Sequence, residues 1–330
     1  MLCHKSVILN WHNAQQLQHI LHKVNKMKFS HSLISTALFA ACSFNAFAAD
    51  ITIYGKANVS AQSSDEGEGS FTEIKSNASR IGFKGTHTLT DEMEVIYQAE
   101  FQVDLDGDGD TFSQRNQYIG LQGNFGQVLL GKNDTVLKQS QGKVDLFSDL
   151  NGDIKALWKG ENRMSDTLTY KSPKFSGLQL GVTYIAEDSV DAEDAYSIAL
   201  FYGDKKLKKS KVYAALAMDS EVKGYDTMRA TIQSKVAGVV LGAIYHTQES
   251  TDGTDMDGFL VSAKYGLDKF DLKAQIQTAE YDGGDDRSGF TVGADYKLSS
   301  QAKIFGFYSS FDMDSKADQD YLALGLEYKF

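Results

Sequence analysis

The densest run of chemistry-bearing side chains is Asp104-Leu105-Asp106-Gly107-Asp108-Gly109-Asp110, with carboxylates at alternate positions and a glycine at the sixth. Such a run can open a calcium loop, where alternate oxygens ligate the ion and the glycine allows a sharp turn. The twelfth position, which needs a bidentate glutamate, is Arg115, so a helix-flanked calcium sensor is excluded. What remains is a loosely held Ca2+ on Asp104, Asp106, Asp108 and Asp110, or a solvated acidic loop. Covalent chemistry has fewer candidates. From residue 49 onward there are two histidines, His87 and His246, no cysteine, and no serine in a Gly-x-Ser-x-Gly context. A Ser–His–carboxylate hydrolase would have to use one of those two histidines. Nucleic acid is not expected as a partner, because phosphate neutralisation needs clustered cations and the chain has 33 Lys+Arg against 44 Asp+Glu.

The elements that must carry any site are strands. One proline, 29 glycines, 16 tyrosines and 19 phenylalanines in 330 residues suit many continuous strands joined by Gly/Asp/Asn turns. The last ten residues show the pattern most clearly. Leu322, Leu324, Leu326, Tyr328 and Phe330 share one face, and Tyr321, Ala323, Gly325, Glu327 and Lys329 share the other. A soluble sheet could bury such a face, but a terminal strand ending in an aromatic also suits closure against the first strand of a transmembrane barrel. Met93, Val95, Tyr97, Ala99 and Phe101 alternate with polar neighbours in the same way, as do Phe259, Val261, Ala263 and Tyr265. Short turns at 89–92, 124–126, 176–177, 237–238, 267–269 and 298–301 are interleaved with longer polar segments at 104–110, 187–194, 249–257 and 282–288. Short turns at one end and long loops at the other are the layout of an outer-membrane barrel. The runs are about twice the ~5–6 residues of sandwich strands, and beyond the N-terminus no apolar run approaches the ~20 residues of a membrane helix. The spacing predicts an all-β, antiparallel up-and-down transmembrane barrel of about sixteen strands over residues 49–330.

Ahead of it, residues 27–48 read as a signal peptide: Met27 and Lys28, an apolar core from Leu33 to Phe44, and Ala46-Phe47-Ala48 as a small-x-small cleavage site. Residues 1–26 read as an over-long gene start, with Met27 the true one. Lipidation at Cys42 is the alternative, against which Phe39 three positions upstream counts. Four of the basic residues (Lys5, Lys23, Lys26, Lys28) and none of the acidic ones precede the cleavage, so the exported chain is more acidic than the whole. It also lacks cysteine, leaving the hydrogen-bonded framework to hold it without disulfides.

Four motifs resemble the general trimeric porins of Gram-negative bacteria. They are Ile53-Tyr54-Gly55-Lys56-Ala57; Ser79-Arg80-Ile81-Gly82-Phe83-Lys84-Gly85; Arg115 with Tyr118-Ile119-Gly120-Leu121, Asn124-Phe125-Gly126 and Leu130-Gly131-Lys132-Asn133-Asp134; and the closing Gly325-Leu326-Glu327-Tyr328-Lys329-Phe330. The resemblance implies an outer-membrane homotrimer of sixteen-stranded barrels, in contact with lipid and lipopolysaccharide, passing ions and small hydrophilic solutes. It also gives meaning to the one long break in the meander, residues 133–162, whose length is unusual for a plain connection. In porins the third loop folds into the barrel and narrows it. Here it carries Asp145, Asp149 and Asp153, with Phe147, Leu150 and Trp158 available to pack it on the wall. Porins place a ladder of cations opposite that loop; Lys56, Arg80 and Arg115 match it, Lys132 is a fourth candidate, and Glu100 matches a lumenal glutamate set against it. The parity of Arg115 is ambiguous, because Ile119 and Leu121 share it. Acids facing cations would form a transverse field that sets ion preference; ordinary solvated lumenal salt bridges are the plainer alternative. The Pro-Glu-Phe-Gly-Gly loop tip of enterobacterial porins is absent, which leaves open which aspartate meets the ladder. A barrel serving mainly as adhesin or receptor through its loops is the alternative function.

Overall fold

The computed structural model describes residues 50–107, 109–187, 194–314 and 316–330. The expected leader and signal peptide, Cys42 and Asp108 lie outside the described residues.

Alternation of apolar and polar residues makes seventeen strand segments, all antiparallel. They are β1 (Asp50–Asp65), β2 (Ser70–Ser76), β3 (Arg80–Thr90), β4 (Met93–Val103), β5 (Phe112–Gly123), β6 (Gly126–Asp134), β7 (Arg163–Lys171), β8 (Leu178–Ile185) and β9 (Ala195–Gly203). The series continues with β10 (Val212–Ser220), β11 (Tyr225–Val236), β12 (Val239–Ser250), β13 (Asp255–Leu267), β14 (Phe270–Tyr281), β15 (Arg287–Lys297), β16 (Ala302–Asp312) and β17 (Gln319–Lys329). β2 and β3 occupy one edge of β1, β2 along its C-terminal half and β3 along its N-terminal half. They are one stave interrupted at 77–79, so the wall has sixteen staves. β1 also pairs with β17, from Lys56 with Lys329 to Asp65 with Asp320, which closes the ring and leaves no edge unpaired.

Side-chain direction follows the alternation. On β17, Leu322, Leu324, Leu326, Tyr328 and the following Phe330 are 45–64% exposed, whereas Tyr321 and Ala323 on the other face are 5% exposed. The exposed face continues around the wall through Ile53, Leu216, Met228, Val261 and Ile276. Such an apolar outer band is what a lipid bilayer solvates, while the inner face carries polar residues such as Asn58, Ser60, Gln62 and Ser64. At the seam Gly55 and Phe330 exchange both backbone hydrogen bonds, at 3.0 and 3.2 Å. The Phe330 ring lies where a Cβ on Gly55 would fall, 2.2 Å from that position, so a side chain there would displace the ring from the seam.

The 135–162 loop between β6 and β7 lies inside the ring. It begins with helix α1 (Val136–Ser140), whose N-cap Thr135 accepts from the Lys138 N–H. It ends after a 3-10 turn at Ile154–Ala156, capped by Asp153. Its apolar side chains join the main buried cluster: Val144, Phe147, Ile154, Leu157 and Trp158 pack with Ile244, Leu260, Phe305 and Phe307 from the wall, and Leu150 packs on the same cluster.

Candidate functional site

The wall holds the loop from several strands at once. Tyr213 OH donates to Ser140 O (2.9 Å), Ser262 Oγ to Val144 O (2.6 Å) and Gln275 Nε2 to Gly152 O (3.0 Å). Trp158 Nε1 donates to Thr278 O at 2.7 Å. The indole lies flat on the His246 ring, 4.9 Å between centroids and 3° from parallel. Arg229, buried beside them, donates from NH1 to Glu161 Oε1 (2.7 Å) and from Nε to His246 Nδ1 (3.3 Å). His246 is therefore a packing group of the loop clamp, and His87 is exposed on β3. Neither has a carboxylate hydrogen-bond partner among the described residues.

The loop presents Asp149 to the opposite wall. Asp149 has a left-handed backbone (φ 71°), which aspartate tolerates better than most residues. Its Oδ2 accepts from Lys56 Nζ at 2.9 Å and is also paired with Arg80. Burial pulls this carboxyl upward, but the charges of Arg80 and Lys56 outweigh it and hold the acid below the ordinary carboxylate range. Lys56 and Arg80 are direct cross-strand partners, a like-charge pairing that costs stability unless offset. Asp149 offsets it from the loop, and Glu100 from the wall. Glu100 Oε1 accepts from Arg115 Nε at 2.6 Å and lies 3.9 Å from Arg80 NH1, while its Oε2 accepts from Tyr54 OH at 3.0 Å.

Arg115 points inward although Ile119 and Leu121, of the same parity, point outward. The cause is a bulge: Ala99 faces Gln117 but Phe101 faces Gln114, so β5 carries an extra residue opposite Glu100. Such a bulge moves every side chain beyond it to the other face.

Three expectations are corrected. Lys132 does not join the ladder; it lines neither half of the lumen and donates to the exposed Ser165 Oγ at 3.3 Å. Asp145 and Asp153 each line one half of the lumen, as expected of constriction residues, but they do not pair with the ladder; they cap backbone inside the loop. Asp145 accepts from the Phe147 and Ile154 N–H groups (3.0 and 3.2 Å), and Asp153 from those of Asp149 and Lys155 (2.8 and 2.9 Å). Burial and the neighbouring Asp153 charge raise the Asp145 carboxyl above its ordinary value. In the acidic segment, the Asp106 carboxylate accepts from the Ser76 N–H at 2.6 Å and so ties this loop to the end of β2. No group of three or more metal-ligating side chains occurs among the described residues.

Two lumenal cavities, of about 860 and 950 Å³, meet inside the ring. Arg80, Lys143, Ser148, Asp149 and Lys205 line both, and they mark the throat. Loop acid and wall cations touch there instead of facing each other across open water, so the opening runs past the ion pair. Lys143 and Lys205 were missed by sequence reasoning. The one signal for Lys205 is the run Lys205-Lys206-Leu207-Lys208-Lys209 at the end where turns are otherwise short.

Residues 35–328 match the family model of the Gram-negative porins. The chain is 30% identical over 161 residues to the major outer membrane protein P.IB of Neisseria sicca, covering 45% of each, and 32% identical over 157 residues to that of Neisseria meningitidis serogroup B, covering 43% and 45%. It thus spans about half the length of the curated relatives it matches. Among solved structures it is similar to the Salmonella typhi OmpF complex with daunomycin (TM-score 0.69, 18% identity, 86% of this chain and 98% of that one). It is also similar to an anion-selective porin from Comamonas acidovorans (TM-score 0.68, 16% identity, 86% and 100%). With a closed sixteen-stave ring, an apolar outer band and a family match over most of its length, the chain belongs to the Gram-negative porin family of the outer membrane.

Proposed function

We propose that the chain forms a water-filled channel through which ions and small hydrophilic solutes diffuse passively, with the 135–162 loop setting its width. The observation that carries this reading is the meeting of two lumenal cavities at a charged throat inside a closed ring. A polar passage favours hydrated solutes, and fixed charges at its narrowest point discriminate between ions. Passive flow needs no cofactor and no catalytic step. The channel works as a homotrimer in outer-membrane lipid, a reading supported by the fold shared with a Vibrio cholerae outer membrane protein solved in trimer form (TM-score 0.66). Liposomes containing the purified protein should swell in small neutral sugars and progressively less in larger ones, and unheated protein should migrate as a trimer on detergent gels. Liposomes that hold a correctly folded barrel yet do not swell would contradict the channel and turn attention to a receptor role for the outer loops.

A further inference from the structure

The connection between β9 and β10, residues 204–211, is long for the end of the barrel where turns otherwise have two to six residues. Its shape is built in. The Asp204 carboxylate accepts from the Lys206, Lys208 and Lys209 N–H groups at 2.9, 3.0 and 3.1 Å. The Asp204 N–H donates to Ser210 Oγ at 2.7 Å, and Leu207 takes a left-handed backbone (φ 53°). The Asp204 carboxylate is thus occupied in holding the turn. Lys205 and Lys206 line the lumen on the side of the short turns, and Lys205 reaches the throat itself. Lys143 meets them from the loop, its carbonyl held by Gln233 Nε2 at 3.2 Å. Among the described residues none of these three lysines makes a salt bridge, in a lumen where Lys56, Arg80, Lys273 and Lys303 are all paired. Burial first, and then the charges of Lys205, Lys329 and Lys206, outweigh Asp149 and hold the Lys143 ammonium below its ordinary range; burial and Lys206 likewise lower Lys205 against the charges of Asp134 and Asp204. An anion seated among them would relieve that repulsion.

We propose that the 204–211 turn is a pore element, and that Lys205, Lys206 and Lys143 form an anion-binding step on the periplasmic side of the throat for small multivalent oxyanions such as phosphate and pyrophosphate. The inference rests on the channel reading above. It makes the throat basic inside an otherwise acidic chain (formal charge −11), because among the described residues the only acid lining both cavities, Asp149, is shared by Lys56 and Arg80.

The test is planar-bilayer recording of the full protein, with a KCl gradient for ion preference and pyrophosphate added to one side at a time. The wild type should prefer chloride, and pyrophosphate should reduce KCl conductance more effectively from one face than from the other. The double variant K205Q/K206Q should shift the reversal potential toward cations and need roughly threefold or more pyrophosphate for the same block, as loss of two nearby charges in a partly screened lumen implies. K205R/K206R should behave as wild type. Unchanged reversal potential and block in the glutamine variant would overturn the inference while leaving the channel intact. So would wild-type block that is equal from both faces, which requires no variant to fold. Absence of any wild-type conductance would overturn the channel reading and this inference with it.

Discussion

At the scale of single residues, three loop aspartates that look equivalent in the sequence take different parts in the structure. Asp149 alone lines the throat, so Asp149→Asn should release Lys56 and Arg80 and move the reversal potential toward anions; an unchanged potential would remove Asp149 from the selectivity of the channel. Asp145→Ala should instead leave two loop N–H groups without acceptors, at about 1–3 kcal/mol each. It should appear as faster amide exchange in 135–162 with little direct effect on ion preference. The two acids also differ in their response to pH. The Asp149 carboxyl is depressed, so its ion pair is fully present above the ordinary carboxylate pKa of about 3.9 and is lost only as pH falls through the lowered value. The difference in reversal potential between wild type and Asp149→Asn should therefore stay flat from about pH 7 to about pH 5, and a titration within that window would contradict the clamp. The carboxyl of Asp145 is raised, so acidification should stabilise the loop at that position. The length of the 133–162 break and the family resemblance placed these three residues on the loop, but the sequence holds no sign of which one caps backbone and which one meets the wall.

At the scale of elements, the 135–162 loop is positioned by packing. Trp158 is 2% exposed, hydrogen-bonded to Thr278 O and stacked on His246. Trp158→Ala should cost about 3–5 kcal/mol of local packing and give noisier, larger single-channel currents. Gly258→Val should act in the same direction from the wall, since a Cβ at Gly258 would lie 2.5 Å from Trp158 Nε1. Quiet, wild-type currents from both variants would show that the loop does not depend on this anchor. Phe147, Leu150 and Trp158 were legible as the apolar side of the loop because large apolar residues in a long polar connection must pack on something. Their partners on β12 to β16 were not legible, because those contacts join residues about 90 to more than 120 positions apart. The facing of Arg115 was ambiguous for a different reason: a single extra residue reverses the facing of a strand and leaves no mark in composition or period, so only the family resemblance placed it inward.

At the scale of the whole molecule, period-two alternation, short turns and the final aromatic were enough to read a closed barrel of about sixteen staves. Closure depends on the backbone alternation, which the sequence displays directly. The lumenal role of the 204–211 turn was hidden because turn length alone does not say whether a turn lies on the rim or folds inward. Closure itself makes a prediction: Gly55→Val should collide with Phe330 and, like removal of Phe330, lower the yield of heat-modifiable folded barrel in refolding. The most direct test of the central claim, an open lumen narrowed by the loop, is single-channel conductance of the purified wild-type protein in a planar bilayer. An open lumen in a homotrimer should give stable ohmic steps that arrive in threes. A correctly folded, heat-modifiable barrel that inserts and passes no current would mean a plugged lumen, and would contradict it.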